Sequence, residues 1–427
     1  MRKGSIIGYD LNDRGCQISY YDEITQEPLT LEAEDDYDQI PMVLGYSHDT
    51  WSYGKDAVEM ERLGKGVTVS GLLSLVMLQE KIEIEGTIYE SVWLLAKFVQ
   101  LSLQKFQKID GITFSVPKMN IDLAKILKGV AQRIGVRKEN VYVQDYKESF
   151  CQYMFYQPKE LWQYEAALFY CDHTEIRAFM LRKVKSPKTT DERVFVTVDE
   201  VAGAQISEME TVYSMVDKEA AKNADLQFKR FIEGVFEKKL ISSVYLTGEG
   251  FDTRWFPDSL KVLCNGRKAF AGNNLYSKGA CYTAFRRHCG FWDGAVYLDE
   301  TKMMEQISVK VRKGEGEFWQ PLVFWGARWY ESDGEWEAIA DDLDEINIIV
   351  ESLVTGEKRH YPLSLKGFPR RKGYSVRLKI QVIFENEKMC KISVEDIGFG
   401  EFFAPAGRKT ERKIQLGGSN GQFNSLL

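Results

Sequence analysis

Apolar and polar residues change their spacing along the chain, and each spacing predicts an element. Two strand-like apolar runs between Ile6 and Tyr21 flank the polar turn Asn12-Asp13-Arg14-Gly15. This pattern predicts an N-terminal hairpin whose first strand ends on Asp10. Farther along, apolar residues recur at helical spacing between Glu90 and Phe106 and again after Asn120. Asparagine is a favoured residue just before a helix, so Asn120 marks the start of the second helix.

A second hairpin follows the plan of the first. The apolar run from Ala166 closes on Asp172, a turn follows at His173-Thr174-Glu175, and an apolar run returns to Leu181. Two acid-ended hairpins indicate a duplicated α/β architecture with a site between the halves. The alternative is that Asp10 and Asp172 are ordinary strand-end residues that cap turns.

The spacing of apolar residues changes in the last third of the chain. Before the change, a helix is expected at 217–239 and a strand at 243–247, followed by the turn Gly248-Glu249-Gly250. After Trp292 the chain consists of short segments in which apolar and polar residues alternate. These segments predict a separate antiparallel β domain, a sandwich. The strands are expected at Gln306 to Val311, Leu322 to Trp329, Ile346 to Leu353, Tyr374 to Glu385 and Met389 to Glu395. A disordered tail is expected at 417–424, which is rich in glycine, serine and asparagine.

Composition narrows the class of protein. The 427 residues are 44% hydrophobic and 28% charged, which is typical of globular chains with several domains. A net charge of −7 argues against nucleic acid as a partner, because phosphate binding needs concentrated basic surface. No apolar run reaches the roughly 20 residues that span a bilayer, and no signal-peptide core begins the chain. We therefore expect a cytoplasmic protein without membrane insertion.

The cysteines and histidines predict no structural metal. Seven cysteines are scattered without a Cys-x-x-Cys pair, and none of the four histidines has a histidine partner at metal-ligand spacing. We expect free thiols in a reducing compartment.

Several segments, in order along the chain, resemble the Hsp70 branch of the actin-like ATPase superfamily. The hairpins at Asp10 and Asp172 resemble the family's two phosphate loops, and Val244 to Gly250 resembles its adenosine motif. Gly111 to Pro117 resembles its connecting segment, and the stretch from Pro369 to Gly400 is similar to the end of its peptide-binding sandwich.

The resemblance implies a fold and a domain plan. The fold is an α/β actin-like ATPase fold of two duplicated lobes, one outer subdomain reduced, followed by a C-terminal antiparallel β-sandwich. The first lobe would occupy residues 1–165 and the shortened second lobe residues 166–290. The β-sandwich would occupy residues 291–403, and residues 404–427 would form a partly disordered tail.

The resemblance also implies a nucleotide site. ATP or ADP would bind to two phosphate loops and an adenosine turn, with Mg²⁺ held through the nucleotide by Asp10 and Asp172. The residues concerned are Asp10, Asn12, Asp13, Arg14, Asp172, His173, Thr174, Gly248, Glu249 and Gly250.

Departures from the family pattern shape the expected function. Both loops lack the glycines that let backbone approach phosphate, and Val58 stands where the family has its catalytic lysine. No residue is therefore assigned to catalysis. We expect a non-canonical, chaperone-like protein that binds a peptide or protein partner through its β-domain, with weak or absent ATP hydrolysis. The alternatives are an active ATP-dependent ATPase with unusual phosphate loops and an actin-like scaffold or filament protein, and the oligomeric state is open.

Overall fold

A computed structural model describes residues 4–31, 39–184, 192–209, 218–290, 294–314, 316–340, 343–369, 376–401, 403–417 and 423. The chain is mixed α/β, and it divides into two compact units. Unit 1 comprises Met1–Arg182 with Val198–Asp293, and unit 2 comprises Lys183–Thr197 with Gly294–Leu427. Within the described ranges, no helix is both long and apolar enough to cross a membrane.

The first sheet of unit 1 is built around the N-terminal hairpin. Its strands lie in the order β11-β10-β1-β2-β3, and the short strand β4 also pairs with β2. β1 is antiparallel to β2 and parallel to β10, which is parallel to β11. The bounds are β1 Ser5–Leu11, β2 Gly15–Asp22, β3 Glu27–Thr30, β4 Ile40–Pro41, β10 Ile109–Val116 and β11 Val141–Asp145.

Smaller elements and five helices accompany this sheet. Two minor sheets comprise β5 Leu44–Ser47, β6 Thr50–Tyr53 and β7 Val67–Val69, and the hairpin of β8 Lys81–Ile84 and β9 Thr87–Glu90. The helices are α1 Lys55–Arg62, α2 Leu72–Leu78, α3 Ser91–Ser102, α4 Ile121–Arg133 and α5 Tyr146–Phe155. The side chain of Asn120 accepts a hydrogen bond from the amide of Leu123 at 2.8 Å, which confirms Asn120 as the α4 cap.

The second sheet of unit 1 repeats the order of the first. Its strands lie in the order β16-β15-β12-β13-β14, with β12 antiparallel to β13 and parallel to β15, which is parallel to β16. In both sheets the first strand is central, its hairpin partner lies on one side, and two later parallel strands lie on the other. The strands are β12 Glu165–Asp172, β13 Glu175–Lys183, β14 Val194–Gln205, β15 Ile241–Thr247 and β16 Lys268–Ala271, and the helices are α6 Lys218–Phe236, α7 Pro257–Leu263 and α8 Leu275–Cys289.

The backbone of helix α8 packs directly against the backbones of α5 and β1. A Cβ atom added to Gly279 would lie 1.9 Å from the carbonyl oxygen of Ser149 on α5. One added to Gly8 on β1 would lie 2.1 Å from the carbonyl oxygen of Ser277 on α8. The two glycines therefore set how closely α8 approaches its neighbours, because no other residue leaves enough room.

Unit 2 contains two four-stranded antiparallel sheets around one apolar core. The first has the order β19-β18-β21-β22 and the second the order β20-β23-β24-β25. β14 begins in this unit, where its first residues pair in parallel with β17. The bounds are β17 Ala295–Tyr297, β18 Glu305–Lys313, β19 Gly316–Val323, β20 Gly334–Ala340, β21 Glu345–Ser352, β22 Lys358–Ser364, β23 Val376–Asn386, β24 Met389–Asp396 and β25 Lys409–Gln415.

Two sequence predictions in this region are corrected. The strand expected at Leu322 to Trp329 ends at Val323, because the chain turns at Gly326, whose φ is +78°. The tail expected from residue 404 contains β25, which pairs with β24 and buries Ile414 in the core. The disorder expected at 417–424 concerns residues that lie mostly outside the described ranges.

Candidate functional site

The turn between β1 and β2 satisfies its own backbone amides. The side-chain oxygen of Asn12 accepts hydrogen bonds from the amides of Arg14 at 2.9 Å and Gly15 at 3.0 Å. Asp13 points the other way and accepts bonds from both the amide and the hydroxyl of Ser74 in the first turn of α2. It thereby satisfies one of the amides that a helix start leaves unpaired. The amides of Arg14 and Gly15, which a phosphate loop would offer to phosphate, are thus already bonded.

Arg14 connects this turn to the turn between β12 and β13. Its Nη1 lies 2.5 Å from Oδ1 of Asp172 and 3.5 Å from Nδ1 of His173. Partial burial lowers the pKa of Arg14, but the hydrogen bond and charge of Asp172, together with the charge of Glu249, raise it overall. The side chains of Arg14 and Asp172 are 52% and 31% exposed, so solvent screens the pair. The contact therefore adds little stability, but it fixes a positive charge where the two turns meet.

The turn after β15 reaches the same place. Gly248 has a φ of +101°, and a Cβ atom there would lie 2.2 Å from the carbonyl oxygen of Cys171 on β12. Glycine is therefore required where the ends of β12 and β15 meet. The Gly248 amide donates to the side-chain oxygen of Asn273 at 2.8 Å, and the Asn273 amide group donates to Asp252 at 2.6 Å.

Tyrosines occupy the space between these turns. The rings of Tyr146 and Tyr276 stack at 3.9 Å with an interplanar angle of 7°, and Tyr170 lies 6.5 Å from Tyr146. The amide group of Asn12 donates to the Tyr146 hydroxyl at 3.2 Å. Burial raises the pKa of both stacked tyrosines well above its usual value, so they remain neutral.

Asp10 is buried beside Tyr146. The residue is 3% exposed, and burial raises the pKa of its carboxyl to about 7, although a hydrogen bond from Tyr146 and one from the Leu11 backbone oppose the shift. Within the described residues its Oδ1 atom has no hydrogen-bond partner. Asp10 therefore has the environment of a neutral or half-neutral acid, whereas Asp172 is paired with a cation.

The turns and rings enclose a cavity of about 220 Å³. Of the ten residues predicted from sequence, the cavity wall includes six: Asn12, Asp13, Arg14, Asp172, Gly248 and Glu249. His173 lies at its edge beside Arg14. Asp10, Thr174 and Gly250 are not in the wall. The Thr174 carbonyl accepts from the Ile206 amide, and the Gly250 carbonyl accepts from the Trp255 indole at 2.7 Å.

Other wall residues were missed by the sequence reasoning: Gln39, Pro117, Tyr146, Tyr170, Arg177, Thr247, Asn273 and Tyr276. One signal for two of them is present in the sequence. Tyr146 is the first residue of α5 and Tyr276 the second of α8, so an aromatic residue opens each of two corresponding helices. The start of a helix after a strand is where an α/β fold places site residues.

The wall does not fit a magnesium nucleotide. Binding phosphate at a turn needs free backbone amides, and here Asn12 and Asn273 already accept bonds from three of them. Binding its magnesium ion between the two strand-end acids needs two charged, accessible carboxylates, whereas Asp10 is buried and burial raises its pKa to about 7.

Comparison with known families gives two matches, neither of which carries a function. Residues 25–300, more than half of the chain, match the model described as "Family of unknown function (DUF5716) C-terminal". Residues 302–416 match a domain of unknown function, DUF8552. The first match begins after the β1–β2 turn, so Asp10 and Arg14 lie outside it. No curated protein matches the chain.

Proposed function

The chain belongs to the DUF5716 family, which has no assigned function, and we propose that it is an Hsp70-like binding protein with a degenerate nucleotide site. In this proposal unit 1 has the actin-like architecture of two duplicated lobes. Unit 2 is a sandwich that binds a peptide or protein partner. ATP hydrolysis is weak or absent.

The contact between Arg14 and Asp172 carries the proposal. A phosphate loop joins its partner loop through Mg²⁺ and phosphate, that is, through charges supplied by the ligand. Here the guanidinium of Arg14 lies 2.5 Å from Asp172, so the protein joins the two turns with its own cation. A nucleotide's phosphates would have to compete with Asp172 for Arg14, and its magnesium ion would have to compete with Arg14 for Asp172.

The architecture supports the duplicated-lobe part of the proposal. Both sheets of unit 1 use the same strand order around a central strand with an aspartate at its C-terminal end: Asp10 is the last residue but one of β1, and Asp172 is the last residue of β12. The hairpin turns after these strands reach one cavity. If the two sheets had arisen independently, the shared strand order and the shared position of the aspartates would both be coincidental.

Nucleotide is expected to leave the stability of the protein unchanged. A ligand that binds only the folded state at 100 times its dissociation constant stabilises it by about 2.7 kcal/mol, so a bound nucleotide is easily seen. We expect no change in the thermal midpoint with millimolar Mg-ATP or Mg-ADP, under conditions where an active Hsp70 ATPase responds. A rise in midpoint that Asp172→Asn abolishes would show that nucleotide binds through Asp172, and would favour the active-ATPase alternative instead. Nucleotide-dependent sedimentation would favour the filament alternative.

The partner surface is expected at the edge of the first sheet of unit 2. β19 lies at the end of that sheet, and its residues Phe318 and Trp319 are 40% and 37% exposed. An edge strand offers unpaired backbone groups to an extended peptide, and apolar side chains beside it supply contact area. Because β19 is an edge strand with two partly exposed aromatic side chains, we expect the partner to bind to β19.

A charge on β19 is expected to weaken partner binding. Phe318→Lys places an ammonium group on the edge strand, a device that prevents strand addition. In fluorescence anisotropy with a panel of extended apolar peptides, it should weaken binding at least about tenfold, which is about 1.4 kcal/mol. Ile339→Lys is the matched control, because Ile339 is 56% exposed on β20, at the end of the other sheet. Equal loss in both variants would remove β19 as the binding edge.

A further inference from the structure

Two carboxylates and an imidazole converge at the edge of the cavity. One donor atom from each of Asp172, His173 and Glu249 lies within 4.8 Å of the other two. Asp172 and His173 come from the β12–β13 turn, and Glu249 comes from the turn after β15, so the fold brings together two separate segments. Imidazole and carboxylate together are donors for zinc and similar divalent ions, whereas magnesium favours oxygen donors alone.

We propose that Asp172, His173 and Glu249 bind a divalent transition metal of the zinc class directly through their side chains, in exchange with Arg14. The ion would displace Arg14 from Asp172 and leave an open coordination position for water or an anionic ligand. This differs from a magnesium ion held through nucleotide, and it does not rest on the proposed function.

The spacing of the donor atoms supports direct ligation. Nδ1 of His173 lies 3.3 Å from Oδ1 of Asp172. Two donors at about 2.1 Å from a tetrahedral ion lie about 3.4 Å apart, so these two atoms already have the required separation. A carboxylate oxygen of Glu249 lies within 4.8 Å of a donor atom of each of the other two residues, and Glu249 is exposed, so its side chain has room to turn toward the ion.

Arg14 gives a separate reason to expect a cation here. Its guanidinium is attracted by the negative charges of the cluster: it pairs directly with Asp172, and Glu249 is a neighbouring charge. Two carboxylates and a neutral imidazole carry a charge of −2, which a divalent ion neutralises more completely than one arginine does. The side chains of Asp172 and His173 are 31% and 63% exposed, so an ion can enter from solvent.

The test uses the full chain without nucleotide. Titration calorimetry measures the binding of Zn²⁺, and visible absorption reports the binding of Co²⁺. We expect one site per chain in the unaltered protein. His173→Asn should weaken binding more than about 100-fold, since it removes a ligand, whereas loss of an outer contact alone costs about 10–100-fold. Asparagine is chosen because His173 has a φ of +52°, which asparagine tolerates, so the turn remains folded. Arg14→Met should strengthen binding about two- to fivefold, because the competing cation is gone.

His48→Asn is the matched control. His48 is also an exposed turn histidine of unit 1 with a positive φ, +49°, but it does not belong to the cluster. Binding that His48→Asn leaves intact and His173→Asn removes supports the site. Absence of binding in the unaltered protein, equal loss in both variants, or indifference to His173→Asn overturns it. Because nucleotide is absent from every sample, these outcomes are separate from the response to Mg-ATP.

Discussion

Asparagine in place of Asp10 is expected to make unit 1 more stable at pH 8. The folded pKa of Asp10 is about 7 against an ordinary value of 3.8, chiefly because burial disfavours the charged carboxylate. Each pKa unit corresponds to about 1.4 kcal/mol, so ionised Asp10 costs up to about 4 kcal/mol at pH 8. The new amide group needs a partner, which takes back about 1–3 kcal/mol. We expect a net gain of about 1–3 kcal/mol.

The sign follows from proton linkage. Between pH 3.8 and about 7 the folded protein binds the Asp10 proton and the unfolded chain has released it. Stability from this group is complete below pH 3.8 and is lost as the pH rises to about 7. Asparagine removes this loss, so its advantage should appear above pH 5 and level off above pH 8. Urea unfolding at pH 4, 6 and 8, with hydrogen exchange of β1 peptides to assign the transition, measures it.

Asp22→Asn is the matched control at the far end of the same hairpin. The pKa of Asp22 is lowered, first by the backbone amide of Thr25 and then by its hydroxyl. Its stability contribution is therefore present above the unfolded pKa and lost as the pH falls, so the two substitutions should have opposite signs. A loss of stability at pH 8 in Asp10→Asn would contradict the prediction, because it would mean that Asp10 is charged and held by a partner.

Alanine in place of Gly279 is expected to destabilise unit 1 by about 3 kcal/mol. The added methyl carbon would lie 1.9 Å from the Ser149 carbonyl oxygen, so α8 must move away from α5. Inserting a carbon into a packed site costs about 1–3 kcal/mol, and a backbone neighbour that cannot rotate away puts this case at the upper end. The displacement would also disturb the stack of Tyr146 on Tyr276 at the starts of the same two helices. Unfolding in urea gives the energy, and tyrosine near-ultraviolet dichroism reports on the stack.

Gly234→Ala shows what the same change does where there is room. Gly234 lies inside α6, is exposed, and has no atom within 4 Å of an added Cβ. Alanine has the higher helix propensity, so this variant should gain about 0.5–1 kcal/mol. Equal effects in the two variants would show that helix propensity and not the contact with Ser149 determines the response at Gly279.

The sequence predicted the elements of unit 1 well because their signals are local. The Asn120 cap and the helical spacing of apolar residues between Glu90 and Phe106 each depend on a few neighbouring residues, and the structure confirms both elements. The wall of the cavity was only partly predictable, because it depends on contacts between distant segments. Nothing near Tyr276 in the sequence indicates that its ring stacks on Tyr146. β25 was missed for a related reason, since a strand with one buried apolar residue, Ile414, has a weak pattern until its partner is known.

The use of Asn12 and Asn273 as acceptors for turn amides limits how this pocket can change by mutation. A single substitution by glycine at either position frees amides in one turn and leaves the other turn occupied. Arg14 would still neutralise Asp172, and Tyr146 would still adjoin Asp10. Each intermediate along such a path would lose hydrogen bonds before it gained a ligand. Several independent contacts therefore oppose nucleotide binding, so no single substitution in these turns is expected to create it.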